Sequence, residues 1–333
     1  MMKEEVKALT LTVVFEASSV NRDESIGGNI QSIKKLRRYD GVYSFFSRAF
    51  LRHKIFNALV KKHGWKEAPV TVTSQGAVIQ FDVSTASIID SEELDFFGYM
   101  STISDTVVRK APVGITKAVS LEKWEGDMAF YANHDLVRRV REKGDQGNPN
   151  PFSKEEHLSF YKYSILLDLT KLGKDEVIVN RGRDGKIFGI DMGEIKEGTL
   201  YENAEGRIWA EKIANESFKI KVEISEDEKK RRLEKFLDVV INGYSLHSST
   251  EDWSTVPIFA TAGLLKLPLV LFDPHVKMND GEIDVELLKK AAGNSHLIKA
   301  WVYPGMFKIG AIEGFESVST TSELKDGLME ELE

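Results

Sequence analysis

Near the start of the chain, Leu9, Leu11, Val13 and Phe15 alternate with Ala8, Thr10, Thr12 and Val14. A period of two, rich in β-branched residues, predicts a strand with one strongly apolar face. Residues 21–38 are polar, carry Gly27 and Gly28, and read as a loop that ends at the turn pair Asp40-Gly41. A helical stretch is expected from Ser44 to Lys62. Its apolar residues, among them Phe46, Phe50, Ile55 and Leu59, cover most of the circumference and predict a well-buried helix. Strand, loop and helix together look like the opening half of a βαββαβ unit.

Further on, residues 69–73 and 77–83 read as strands separated by Ser74-Gln75-Gly76. Ser91, followed by carboxylates, suits a helix start, and residues 96–100 form an apolar packing cluster around Gly98. Between 101 and 151 the pattern loosens, with strand-like runs at 106–109 and 115–121, and ends in turn-forming residues, which suggests an excursion from the core. Strand character returns over 157–169, and glycine- and charge-rich residues 183–206 suit strands divided by turns. Residues 227–244 predict an amphipathic helix whose outer face, Lys229 to Arg232, is solvated. Of two apolar runs in 256–273, the second reads as a buried strand. A short helix over 282–292, a strand over 296–303 and an acidic, exposed helix from Ser322 complete the chain.

The composition is that of a globular protein: 333 residues, 42% hydrophobic and 29% charged, enough for a sizeable core. The absence of cysteine excludes disulfides, cysteine–zinc sites and thiol catalysis. The first residues lack the apolar core of a signal peptide, and no stretch reaches the roughly 20 apolar residues of a membrane span. A cytoplasmic protein with no membrane partner is expected.

Net charge is −7, yet between Lys34 and Lys66 there are ten Lys or Arg residues against one carboxylate, Asp40. A cationic loop running into a helix suits a polyanion better than a small neutral substrate. Arg48 and Arg52 share a helical face, where they serve either as ordinary ion-pair partners or, with Ser47, as phosphate contacts at a helix N-terminus. Phosphate-binding, dinucleotide-binding, zinc-protease and serine-hydrolase motifs are all missing. His134-Asp135 lacks further ligands at readable spacing, so no metal and no cofactor are expected. His53 or His63 could act as the base of a ribonuclease, but no reaction stands out and binding is the expected class.

Three blocks resemble one family. The first runs from LTVVFEASSVNRDE through IKKLRRYDGVY to FFSRAFLR; the second is Asp95 to Met100, of the form D-x-F-G-Y-M; the third is Arg109 to Leu121. In order and spacing they are similar to the DevR family of CRISPR-associated RAMP proteins, the backbone subunits of type I-B Cascade. The family often has Gln two positions after the helix serine; Ala49 stands there, so that contact does not carry over.

The resemblance implies an α+β fold with an RRM-like, ferredoxin-like core over 1–100 and 152–333, and a finger- or thumb-like lobe inserted at 101–151. It implies a non-catalytic protein that holds crRNA by its phosphates. Partners would be target DNA reached through the guide, neighbouring copies of the same chain and other Cascade subunits. The phosphate contacts it points to are Lys34, Lys35, Arg37, Arg38, Arg48 and Arg52, with hydrogen bonds from Asn21 and Ser47. The alternative is a RAMP endoribonuclease that processes precursor crRNA.

Overall fold

In the computed structural model, the described residues are 5–332 apart from 26, 28, 74–75, 103–105, 182–184 and 249–250. Gly28 and the Ser74-Gln75 part of the expected hairpin turn therefore lie outside the described residues. The main sheet contains β1 (Ala8–Ser18), β2 (Lys35–Arg38), β3 (Gly41–Phe46), β4 (Val113–Ile115), β5 (Ala118–Ser120), β6 (Leu158–Asp168), β7 (Phe259–Leu265), β8 (Leu297–Tyr303) and β9 (Glu316–Ser317). Their order is β9-β8-β7-β1-β6-β5-β3-β2, with β4 also paired to β6. Helices are α1 (Arg48–His63), α2 (Glu92–Phe97), α3 (His134–Glu142), α4 (Glu226–Asn242), α5 (Val285–Ala292) and α6 (Thr321–Leu332). Among the described residues no helix is long and apolar enough to cross a membrane.

The alternating stretch is β1, antiparallel to both neighbours, with Leu11 opposite Ile165 on β6 and Ala262 on β7. Leu9, Leu11, Val13 and Phe15 share a core with Leu51 and Ile55 of α1, Phe236 of α4 and Leu328 of α6. Each such fully buried side chain contributes about 1.5–3 kcal/mol. The second face of β1 is covered as well: Ala8 and Val14 join Phe272, Leu288 and Phe307 in another core. Buried between these apolar groups, Thr12 satisfies its hydroxyl against Ser164 at 2.7 Å.

A second body packs on its own core of Val83, Leu94, Tyr99, Val177 and Ile220. Its sheet runs in the order Lys174–Asn180, Ser217–Ile224, Gly206–Lys212, Gly198–Glu202. Two hairpins accompany it, Val70–Val72 with Ile79–Phe81 and Tyr99–Ser101 with Val107–Arg109. A third small sheet joins Met128–Tyr131, Phe152–Glu155, Ile30–Ile33 and Arg22–Ser25.

Several expectations are corrected. The expected loop over 21–38 holds the strands Arg22–Ser25, Ile30–Ile33 and β2. Helix α1 starts at Arg48, not Ser44, because residues 44–46 complete β3 and Ser47 caps the helix, its Oγ accepting from Phe50 N. The stretch 101–151 supplies β4 and β5 to the main sheet as well as the outlying Met128–Tyr131 and α3. In 256–273 the first apolar run, not the second, is the strand, fully buried as β7. The tail is not merely exposed: Leu324, Leu328, Met329 and Leu332 of α6 are buried.

The outer face assigned to residues 229–232 is also overturned, since Lys229 and Arg232 are buried. Arg232 bonds Glu228 Oε1 at 2.6 Å, Asp95 Oδ2 at 3.3 Å and the carbonyls of Ile88 and Ile89. Asp95 also accepts from Arg109 Nη2 and from the Gly173 N–H, each at 2.9 Å. Gly98 lets the chain pass this cluster: its φ is +65°, and a Cβ there would stand 2.4 Å from the Arg109 carbonyl oxygen. Arg232→Ala would leave two buried carboxylates short of a counter-charge. The expected cost is about 3–5 kcal/mol in equilibrium urea unfolding, and a loss below about 1 kcal/mol would contradict it.

Candidate nucleic-acid interface

The cationic segment folds into an edge hairpin, not a loop. β2 is the last strand of the main sheet and pairs only with β3 there, with Arg37 opposite Val42 and Arg38 opposite Gly41. Tyr39 at the tip is 94% exposed. β3 then leads through Ser47 into α1. β3 runs from Gly41 beside the tip to Phe46 before the helix cap, five steps that span about 17 Å at roughly 3.3 Å per residue. The geometry is a track rather than a pocket.

The eight residues singled out in the sequence divide by what they touch. Asn21 and Ser47 are occupied in building the corner: Asn21 Oδ1 accepts from Ser47 N at 2.8 Å, and Ser47 caps α1. Lys34 is 2.8 Å from Asp23. Lys35 is 2.5 Å from Glu155 and lies 4.0 Å above the Trp124 ring. Burial works against the charge on Glu155, but Lys35, Ser32 Oγ and Ile33 N–H outweigh it and hold the carboxyl below the usual glutamate range. Arg52 is 2.8 Å from Glu93 and 4.8 Å from the Phe97 ring. Arg37, Arg38 and Arg48 are exposed and make no ion pair with the described residues. These three are the cations left available to an external anion.

Three lysines that carry no signal in the sequence join them. Lys123 packs its stem against Gly41 at the hairpin turn, and Lys117 stands 5.6 Å over the Phe45 ring. Lys277 lines a 260 Å³ cleft with Arg38, Tyr43 and Lys162 beside the tip. All three are exposed and without ion pairs among the described residues. Only the fold brings them to this edge. Lys162 is different: burial pulls its pKa down, and its ammonium donates to the carbonyls of Asp273 and Val276. A lone lysine inside the apolar stretch 157–169 was its signal.

The histidines do not converge. His53 is hydrogen-bonded to Asn57 at 3.0 Å on the exposed side of α1. His63 lies 2.7 Å from Asp238 at the other end of the same helix, about 15 Å further along its axis. Asp135 of the His134-Asp135 pair is engaged by Arg138 and Arg139. Among the described residues no group of three or more His, Asp or Glu could hold a metal ion.

The fold defines a class. The chain matches a solved structure described as a CRISPR RNA-guided surveillance complex with TM-score 0.58 over 97% of this chain and 98% of that one, at 10% identity. A second, a CRISPR RNA-guided surveillance complex in a pre-nicking state, also gives 0.58 over 97% and 99%, at 9% identity. At such identities the likeness is one of fold. The family is set by sequence: the model for the CRISPR-associated negative auto-regulator DevR/Csa2 matches residues 9–285, and the chain belongs to that family. It is 24% identical over 159 residues to the CRISPR-associated protein Cas7/Cst2/DevR of Myxococcus xanthus (strain DK1622). That match takes in 42% of this chain and 50% of the relative, so the chain spans about half the length of the curated relative it matches.

The Lys35–Glu155 pair makes a pH prediction. A carboxyl with a depressed folded pKa stabilises above its unfolded pKa, and that stability is lost as pH falls through the folded value. Lys35→Ala raises the folded pKa of Glu155, so the acid loss should begin at a higher pH than in the wild type. Urea midpoints between about pH 3 and 6 check this, and superimposable pH profiles would contradict it.

Proposed function

We propose that this protein is a non-catalytic subunit of a Cascade-type CRISPR surveillance complex, binding crRNA by its phosphates along the β2–β3 edge. The observation that carries the reading is the set of exposed cations without ion-pair partners among the described residues, Arg37, Arg38 and Arg48 with Lys117, Lys123 and Lys277, on one sheet edge of a DevR/Csa2 family member. Such contacts fix position and carry no sequence information, so base pairing by the guide would supply the specificity toward target DNA. The succession β1–α1–β5–β6–α4–β7, with strand order β7-β1-β6-β5, supports a ferredoxin-like, RRM-like core. Neighbouring copies and other Cascade subunits are the protein partners in this reading, and type I-B is the assignment the resemblance favours.

The endoribonuclease alternative needs a histidine set beside a bound phosphate. His63 is held by Asp238 and lies at the far end of α1 from the hairpin. Incubation of the pure chain with repeat RNA decides between the two, and site-specific cleavage would favour the nuclease.

The test is binding of a guide-length single-stranded RNA across a salt series. The triple variant Arg37→Ala/Arg38→Ala/Arg48→Ala should flatten the log–log slope by about 2, near 0.7 for each phosphate that is no longer neutralised. Arg52→Ala should leave the slope alone and lower stability instead, because its partner Glu93 is buried. An unchanged slope in the triple variant would sink the assignment of the edge.

A further inference from the structure

The second body carries a pocket that shares no lining residue with the hairpin edge. It has a volume of 520 Å³, in the range of small-molecule sites. It lies between the hairpin that ends at Arg109 and the strands Lys174–Asn180, Gly206–Lys212 and Ser217–Ile224. Arg109 is among its lining residues, with a side chain only 4% exposed. The two Nη atoms of Arg109 are taken up by Asp95 and by the carbonyls of Leu94, Lys171 and Lys174. Its buried Nε has no hydrogen-bond partner among the described residues, and Asp175 Oδ2 stands 3.7 Å away.

One wall is the half-buried indole of Trp209, with the Arg207 guanidinium 4.6 Å and the Lys221 ammonium 5.9 Å from its ring centroid. Lys110, Lys171 and Lys174 stand around it with Lys221, against the carboxylates of Asp175, Glu176 and Glu223. Lysines 171, 174 and 221 have carboxylate partners at 2.6–3.4 Å, all of them with an exposed side chain in the pair. Exposed pairs of this kind are worth little and exchange readily for a competing anion. Lys110 is exposed and makes no ion pair with the described residues.

A sheet-borne aromatic ring flanked by cations is how proteins hold single strands: a base stacks on the ring and the adjoining phosphates meet the cations. An acidic peptide would use the cations but leave the indole idle. We propose that this pocket is a second single-stranded nucleic-acid site, taking one base against Trp209 and the flanking phosphates on Lys110, Lys174 and Lys221. It stands on its own observations and does not require the hairpin edge to bind RNA.

The experiment is a tryptophan-fluorescence titration of the full chain with oligo-dT and oligo-rU of about 15 nucleotides, long enough to span one such site. Quenching by at least one oligonucleotide is expected, and the stronger response identifies the strand as DNA or RNA. The quench should persist in the Arg37→Ala/Arg38→Ala/Arg48→Ala chain and vanish when Trp209→Phe is added to that chain, in which Trp124 beside Lys35 no longer reports RNA on the edge. Lys110→Ala/Lys221→Ala, which alters side chains at the surface, should weaken it about tenfold or more. No quench with either oligonucleotide, a quench that survives Trp209→Phe in the triple arginine chain, or one unaffected by the double lysine variant overturns the proposal. Equal quenching by poly-glutamate overturns the stacking claim too. Loss of guide binding in the triple arginine variant, with this quench intact, bears on the edge alone.

Discussion

Asp95 is wholly buried and is contacted by three segments that are far apart in sequence. Arg109 reaches it from the second hairpin, the Gly173 N–H from the turn after β6, and Arg232 from α4. A buried carboxylate is tolerable only when paired and hydrogen-bonded on this scale. The consequence is geometric. The main sheet and its helices on one side, and the second body on the other, meet at a fixed charged joint, and Tyr99 extends it by donating to Asp175 at 2.8 Å.

This joint changes the meaning of the family resemblance. Of its three blocks, the second contains Asp95, Gly98 and Tyr99 and the third begins with Arg109, and these residues bond one another or pass through one crowded point. They hold the fold. The first block, running along β2, β3 and α1, presents most of the edge cations to the outside, joined by Lys117 of the third, and even there much of the charge is used internally. Lys35 is bound to Glu155, Lys34 to Asp23 and Arg52 to Glu93. An acidic chain thereby keeps a short basic edge without spreading positive charge over its surface.

What the sequence made legible follows from range. Local periodicity marks β1 and the strands of the 70–81 hairpin, and apolar residues mark α1, but not its start, because Phe45 and Phe46 fit either a strand or a helix. The partners of the basic residues were not legible, because Glu155 lies 120 positions from Lys35 and Glu93 lies 41 from Arg52. The buried face of α4 is hidden for the same reason: Arg232 resembles a solvated arginine until Asp95 is placed beside it. The second body's strands alternate cleanly, as Lys174–Asn180 shows, but nothing local says that they form a separate sheet. Lys117, Lys123 and Lys277 reach the edge only through tertiary structure.

The most direct test of the account is ultraviolet crosslinking of a bound guide-length RNA, followed by mapping of the modified peptides. The account places the RNA on the β2–β3 edge, where Tyr39 is almost fully exposed and Phe45 lies beneath Lys117. Crosslinks concentrated in residues 35–48 are the predicted result. Crosslinks confined to residues 95–110, with none on the hairpin, would show that the second block and the start of the third, and not the edge, hold the RNA.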